Sequence, residues 1–174
     1  MDTPKSPKLE IIIPAYRMHT QCFKNALEGI TEEAARKRIE NRTNHVIWMI
    51  GNLVNTRYWM GSLLGLEETD PFDELFTEAR AIDDSLSYPT LDELVNNFHA
   101  ISPKVYQALL NVTDDKLKEP VTFGMGMSFF EENVLNMIGM CTGRIDYLLG
   151  QVGLMRKLLG LKGMGYDIDE SISY

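Results

Sequence analysis

The sequence predicts an all-α fold: a four-helix bundle with a long crossover between the second and third helices. Three observations predict it. Four long stretches carry apolar residues three and four apart, the spacing that lines one face of a helix. Each stretch is bounded by residues that start or stop helices. The alternating pattern of a half-buried strand is almost absent. The 174 residues suit one domain, 1–174, with a core over about 14–160 and a flexible start and C-terminal tail.

The elements follow in chain order. After a frayed start, Pro14 opens a helical stretch through Gly29, with Tyr16, Cys22, Phe23 and Ala26 apolar. Proline near a helix start fits its missing N–H. Gly29 is a stop, and Thr31 before "EEA" is a new N-cap with acids in the first turn. The second long helix spans about Asn44 to Leu64. Its stripe is His45, Met49, Asn52, Thr56, Trp59 and Leu63, with Trp48, Leu53 and Met60 alongside, and Gly65 ends it.

Residues Glu67 to Tyr88 read as a long acidic connection with one or two short helical pieces. Thr90 with Glu93 three residues later is a capping box, and the third helix runs to about Leu110. Asp114 and Asp115 begin a short turn. Ser128, with Glu131 at the third position, is the expected cap of the fourth helix, which runs to Leu159 before Gly160. The long joint means that the second and third helices need not be antiparallel neighbours. The other joints read as hairpins. The tail "GMGYDIDESISY" has no periodicity and reads as loose, or as a strap on a partner subunit.

Charge restricts the partners. The net charge is −8, and no cluster of five or more Lys/Arg occurs, which argues against nucleic acid and anionic membrane. Between Glu67 and Glu93 stand ten acidic residues and one basic residue, Arg80. They form either a solvated crossover or a docking surface for a basic partner. The start "MDTPKSPKLE" lacks an apolar signal core, and no uninterrupted apolar run reaches ~18 residues. Cys22 and Cys141 then point to a reducing, cytoplasmic setting and to buried thiols rather than a disulfide.

Within the fourth helix, Met137, Cys141, Arg144, Leu148, Gln151 and Met155 share one face. Arg144 and Gln151 interrupt that stripe, as Asn52 interrupts the stripe of the second helix. A buried arginine needs partners or a route to solvent. On another face stand Gly139, Gly143, Gly150 and Gly153. Each costs a helix about 1 kcal/mol against alanine, so a close neighbour is expected there: another helix, a twofold-related subunit or a substrate.

Four stretches carry a family resemblance: "WMIGNLV" from Trp48, "YPTLDEL" from Tyr88, "LLNVTDDKLKEPV" from Leu109 and "RIDYLLGQVGLMRKLLG" from Arg144. In order and spacing, from about Pro14 to Gly160, they resemble the DinB/YfiT-like four-helix superfamily of bacterial metalloenzymes. That family has "W-x-x-G-H-L" in its second helix. Its fourth carries "H-x-x-x-H-x-G-Q", then an arginine and Leu-Leu-Gly. The resemblance implies three histidines holding zinc or nickel. They fall here on Asn52, Arg144 and Leu148. Leucine cannot ligate, arginine repels a cation and asparagine is a weak ligand, so the expected cofactor is none.

Two readings of Arg144 stay open. It donates to the Asn52 side-chain oxygen as an internal contact, or it receives a small anionic ligand, a carboxylate or phosphate, at the bottom of a cleft. The corresponding protein is a non-metal member that binds a small ligand or serves as an interaction module. The alternative is a metal-dependent, thiol-using S-transferase or isomerase with a site rebuilt from His45, Cys141 and His99. Against it, the histidines lack i, i+4 spacing. His19 reads as a surface residue, His99 as partly exposed, and His45 as a cap or packing residue. Cys141 has no visible triad, and Trp48, Trp59 and the ten methionines read as core. The resemblance also implies a homodimer.

Overall fold

The computed structural model describes residues 2–124 and 126–174, and the backbone alone at Ala79. Among them the chain is all-helical. The elements are α1 (Ile12–Leu27), α2 (Glu32–Ala35), α3 (Val46–Leu63), α4 (Asp73–Phe76), α5 (Leu91–Asn111), α6 (Asp114–Lys118) and α7 (Val134–Leu158). Thr31 caps α2 by accepting from the Ala34 N–H, and Thr90 and Glu93 form the capping box of α5. These ends are local side-chain chemistry, and they fall where the sequence puts them.

The start of α7 differs. Its cap is Asn133, which accepts from the Asn136 N–H, not Ser128. Before it, Val121 N–H donates to Glu132 O and Val134 N–H to Glu119 O, with a bridge pairing Pro120 and Asn133. Those long-range bonds hold 132–134 extended, so the helix begins only after them.

The four long helices close a ring in the order α1, α7, α3, α5. Pairs of contacts give their directions. His19 meets Asp146 and Ala26 meets Arg156, so α1 and α7 run parallel. His45 meets Tyr88, and Gly61 faces Ile101 and Val105, so α3 and α5 also run parallel. Parallel neighbours require a joint that returns along a full helix, about 27 Å for eighteen residues. This is why the 64–90 connection is long. The other two joints, 28–45 and 112–133, were expected to make hairpins between neighbours. They instead join helices on opposite corners of the ring, and α2 and α6 lie within them.

The crossover is folded onto α3, most tightly at Gly51. A Cβ added at Gly51 would overlap the ring of Phe76, so α4 packs through the missing side chain. The Trp48 indole N–H also donates to Arg80 O at 3.1 Å. By contrast, a Cβ at Gly139, Gly143, Gly150 or Gly153 would meet nothing within 4 Å. Among the described residues nothing presses on those glycines, so of the neighbours expected there another helix of the same chain is not found. The tight approach is at Gly51 instead.

Both ends of the chain make specific contacts. Lys5 N–H donates to Leu110 O, and Leu9 is fully buried. The tail, expected to be loose, lies along α1, with Asp167 and Asp169 bonded to Asn25 and Gln21. Its last residue, Tyr174, packs against the core. Cys22 and Cys141 are both free and buried. No described helix is long and apolar enough to cross a membrane.

Candidate functional site

One cleft of about 800 Å³ opens between α3, the crossover, the 119–124 segment and α7. Two antiparallel helices supply its floor. From α3, Asn52 is buried behind the cleft lining and donates its amide to Trp48 O at 3.0 Å, which leaves its side-chain oxygen free to accept. From α7, Arg144 Nη2 donates to that oxygen, Asn52 Oδ1, at 2.8 Å. The internal contact anticipated from sequence is therefore present. Arg144 is only half-buried and also lines the cleft, so its cation remains open to a second partner. Burial pulls its pKa below the usual arginine value.

The walls are aromatic and apolar. Trp59 stacks on Phe123 with ring centroids 5.2 Å apart, and Phe76 and Met140 complete the side. The mouth is acidic, with Glu68, Asp70, Asp73 and Glu78. Asn55 Nδ2 donates to both Asp70 and Asp73 at 2.9 Å, which holds two carboxylates at the same edge. Burial raises the Asp70 pKa, opposed by the N–H of Phe72 and the Asn55 amide. The result is one cation at the floor beneath a negative rim.

The other residues singled out from sequence are dispersed. Leu148 is buried in the core, and Gln151 is half-exposed on α7 outside the cleft lining. His45 is the N-cap of α3, its Nδ1 accepting from the Trp48 N–H at 2.9 Å. Cys141 is fully buried, and desolvation pushes its thiol up to about 12. Such a thiol is protonated at neutral pH and does not act as a nucleophile. His99 bonds Tyr174 through Nδ1 at 3.0 Å. His45, Cys141 and His99 thus do not converge, and no group of three His, Cys, Asp or Glu side chains suited to a metal occurs among the described residues.

The three positions singled out by the resemblance, Asn52, Arg144 and Leu148, do not fit a divalent metal either. The Asn52 oxygen is already occupied by a guanidinium, and Leu148 offers no donor. His19, expected at the surface, is buried and bonds Asp146 Oδ1 at 2.7 Å across α1 and α7. Burial lowers its pKa, and Asp146 partly offsets this.

Arg57 escaped the sequence reading. It is fully buried on α3, with its guanidinium carbon 3.4 Å from the centroid of the Tyr16 ring. The available signal was that Arg57 is the one charged residue between Val46 and Leu66. Comparison with protein-family models, with curated proteins and with solved structures returns no match.

Proposed function

We propose that this chain is a DinB-like four-helix protein in which an arginine replaces the metal centre, and that it binds a small anionic ligand. The observation that supports this most is Arg144. It is held in place by Asn52, yet still faces an open aromatic-walled cleft. An anchored guanidinium loses little freedom on accepting a carboxylate, which favours a charge-assisted pair.

The rim narrows the ligand class. Glu68, Asp70, Asp73 and Glu78 repel a polyanion such as a nucleoside triphosphate. A monoanion with an apolar or aromatic body against the wall of Trp59, Phe123 and Met140, and a neutral or cationic far end, matches the charge order of the cleft. The reading is of a binding protein. No nucleophile or acid–base pair converges at the floor among the described residues.

The test is a thermal-shift screen with aromatic and aliphatic monocarboxylates, followed by titration calorimetry on wild type and Arg144→Gln. Binding to the folded state raises the melting temperature by mass action. A hit should lose at least about tenfold in affinity in Arg144→Gln, the worth of one charged hydrogen bond. Equal affinity in the two proteins would remove Arg144 from the reading. A protein stabilised only by zinc or nickel would replace it with the metalloenzyme alternative.

A further inference from the structure

The C-terminal segment sits in a groove of α1 and α5 as a bound peptide sits on a receptor. Three side chains of α1 hold it. Gln21 makes both amide bonds to one residue: Asp169 N–H donates to Gln21 Oε1 at 2.9 Å, and Gln21 Nε2 donates to Asp169 O at 3.0 Å. One turn on, Asn25 Nδ2 donates to Asp167 O at 2.9 Å. Residues four apart on a helix are about 6 Å apart along the axis, and residues two apart on an extended strand are about 6.8 Å apart. The two ladders therefore match. All three bonds read backbone, and Gln21 and Asn25 are both buried beneath the segment.

Side chains add selectivity. Lys24 pairs with the Asp169 carboxylate, and Tyr174 Oη bonds His99 Nδ1 at 3.0 Å. Beside the segment remains a cavity of about 410 Å³, lined by Phe23, Lys24, Val95, His99 and Asp167 among others. The groove is larger than its present occupant needs.

The chain leading to the segment is pinned on both sides of a short pivot. Leu161 N–H donates to Arg156 O, and Arg156 Nε donates to Lys162 O at 3.1 Å. Met164 packs against the core beyond that point, and the next hydrogen-bonded residue is Asp167. Between them lie only Gly163, Met164, Gly165 and Tyr166. Gly163 and Gly165 flank Met164, so the chain can be redirected there once that one apolar contact is released. Asp167, Asp169 and Tyr174 are recognised by one compact set of side chains, and a second copy presents the same set.

We propose that the α1–α5 groove is a peptide-docking site, and that the segment 167–174 of a second copy of this chain occupies it by reciprocal exchange. The exchanged contacts are identical to those made within one chain, so a swapped dimer forms at high concentration without new chemistry. The proposal does not depend on the ligand reading of the Arg144 cleft.

The experiment mixes two full-length proteins, Asn25→Cys and Asp167→Cys, at high concentration under mild oxidation. Neither can close a disulfide between positions 25 and 167 within one chain. Asn25→Cys gives up one of the three clamp bonds and keeps both from Gln21, and the Asp167 side chain takes no part in the clamp. A mixed 25–167 disulfide, identified by mass, requires the tail of one copy to enter the groove of the other. Lys37→Cys mixed with Asp167→Cys is the collision control. Exchange predicts about tenfold or more mixed product over the control, from the raised effective concentration. Exchange also predicts that excess wild-type protein suppresses that product. Equal yields in the two mixtures, or a yield insensitive to wild type, overturn the proposal. Circular dichroism of each variant verifies that both retain the fold.

Discussion

The guanidinium of Arg57 lies over the ring of Tyr16, 3.4 Å from carbon to centroid, inside the core of the molecule. Phe98 stands on the cation at 5.3 Å, and Nη2 donates to Tyr16 O at 3.3 Å. Nε and Nη1 have no hydrogen-bond partner among the described residues. Burial pushes the pKa down to about 9, so the group is still charged at neutral pH. A desolvated cation held chiefly by aromatic faces and one carbonyl is incompletely compensated.

A double-mutant cycle follows from that arrangement. Arg57→Met keeps the volume and removes two unpartnered donors, so it is expected to be neutral or up to about 2 kcal/mol stabilising. Tyr16→Leu withdraws the ring from beneath the cation and deletes the 2.7 Å bond from Tyr16 Oη to Ser102 O. It should cost about 3 kcal/mol or more in wild type and about 1–2 kcal/mol less in the Arg57→Met background. Urea denaturation of the four proteins gives the coupling. Equal costs in the two backgrounds would show that the ring does not compensate the charge.

What was legible in the sequence divides along the range of the interaction. Thr31, Thr90 and Glu93 act on neighbours three residues away, and their caps were readable from spacing. Asn52 and Arg144 were readable as polar breaks in two apolar stripes, and the stripes do face each other. Ser128 misled because its capping pattern is as good as that of Asn133. Only the pairing of 119–121 with 132–134 decides between them. Gly51 and Phe76 are 25 positions apart on different elements, and no periodicity connects them. His19 lies among polar neighbours, so its burial depends on α7 arriving alongside. The tail lacks periodicity because amides of α1 recognise its backbone, which leaves little imprint on its side chains.

Acid should destabilise this protein in a way that can be traced to His45. Burial lowers its pKa from the ordinary 6.5, and its unprotonated Nδ1 caps α3. The unfolded chain therefore binds a proton at a pH where the folded chain does not. Stability is full above about 6.5 and falls as pH drops below it, because the unfolded state holds more protons. His19 and His99 shift in the same direction and add to the slope. Asparagine is a good cap that does not titrate. His45→Asn should match wild type within about 0.5 kcal/mol at pH 8 and lose less stability by pH 5. Melting temperatures across that range check it, and parallel curves for the two proteins would count against the cap as an acid-sensitive group.

Gly51 sets how the crossover closes on the cleft. Alanine is the better helix former by about 1 kcal/mol, so on propensity alone Gly51→Ala would stabilise α3. The new methyl instead overlaps the Phe76 ring, which is itself fully buried and lines the cleft. The ring must shift, and overpacking of this kind costs about 1–3 kcal/mol. Gly51→Ala is thus expected to be net destabilising and to alter the emission of Trp59, which shares the cleft wall. Phe76→Leu makes room. In that background the same glycine replacement should be neutral or slightly stabilising, because only the helix preference remains. Chemical denaturation of the single and double variants separates the two terms. A glycine replacement that costs the same beside leucine as beside phenylalanine would place the clash elsewhere than at residue 76.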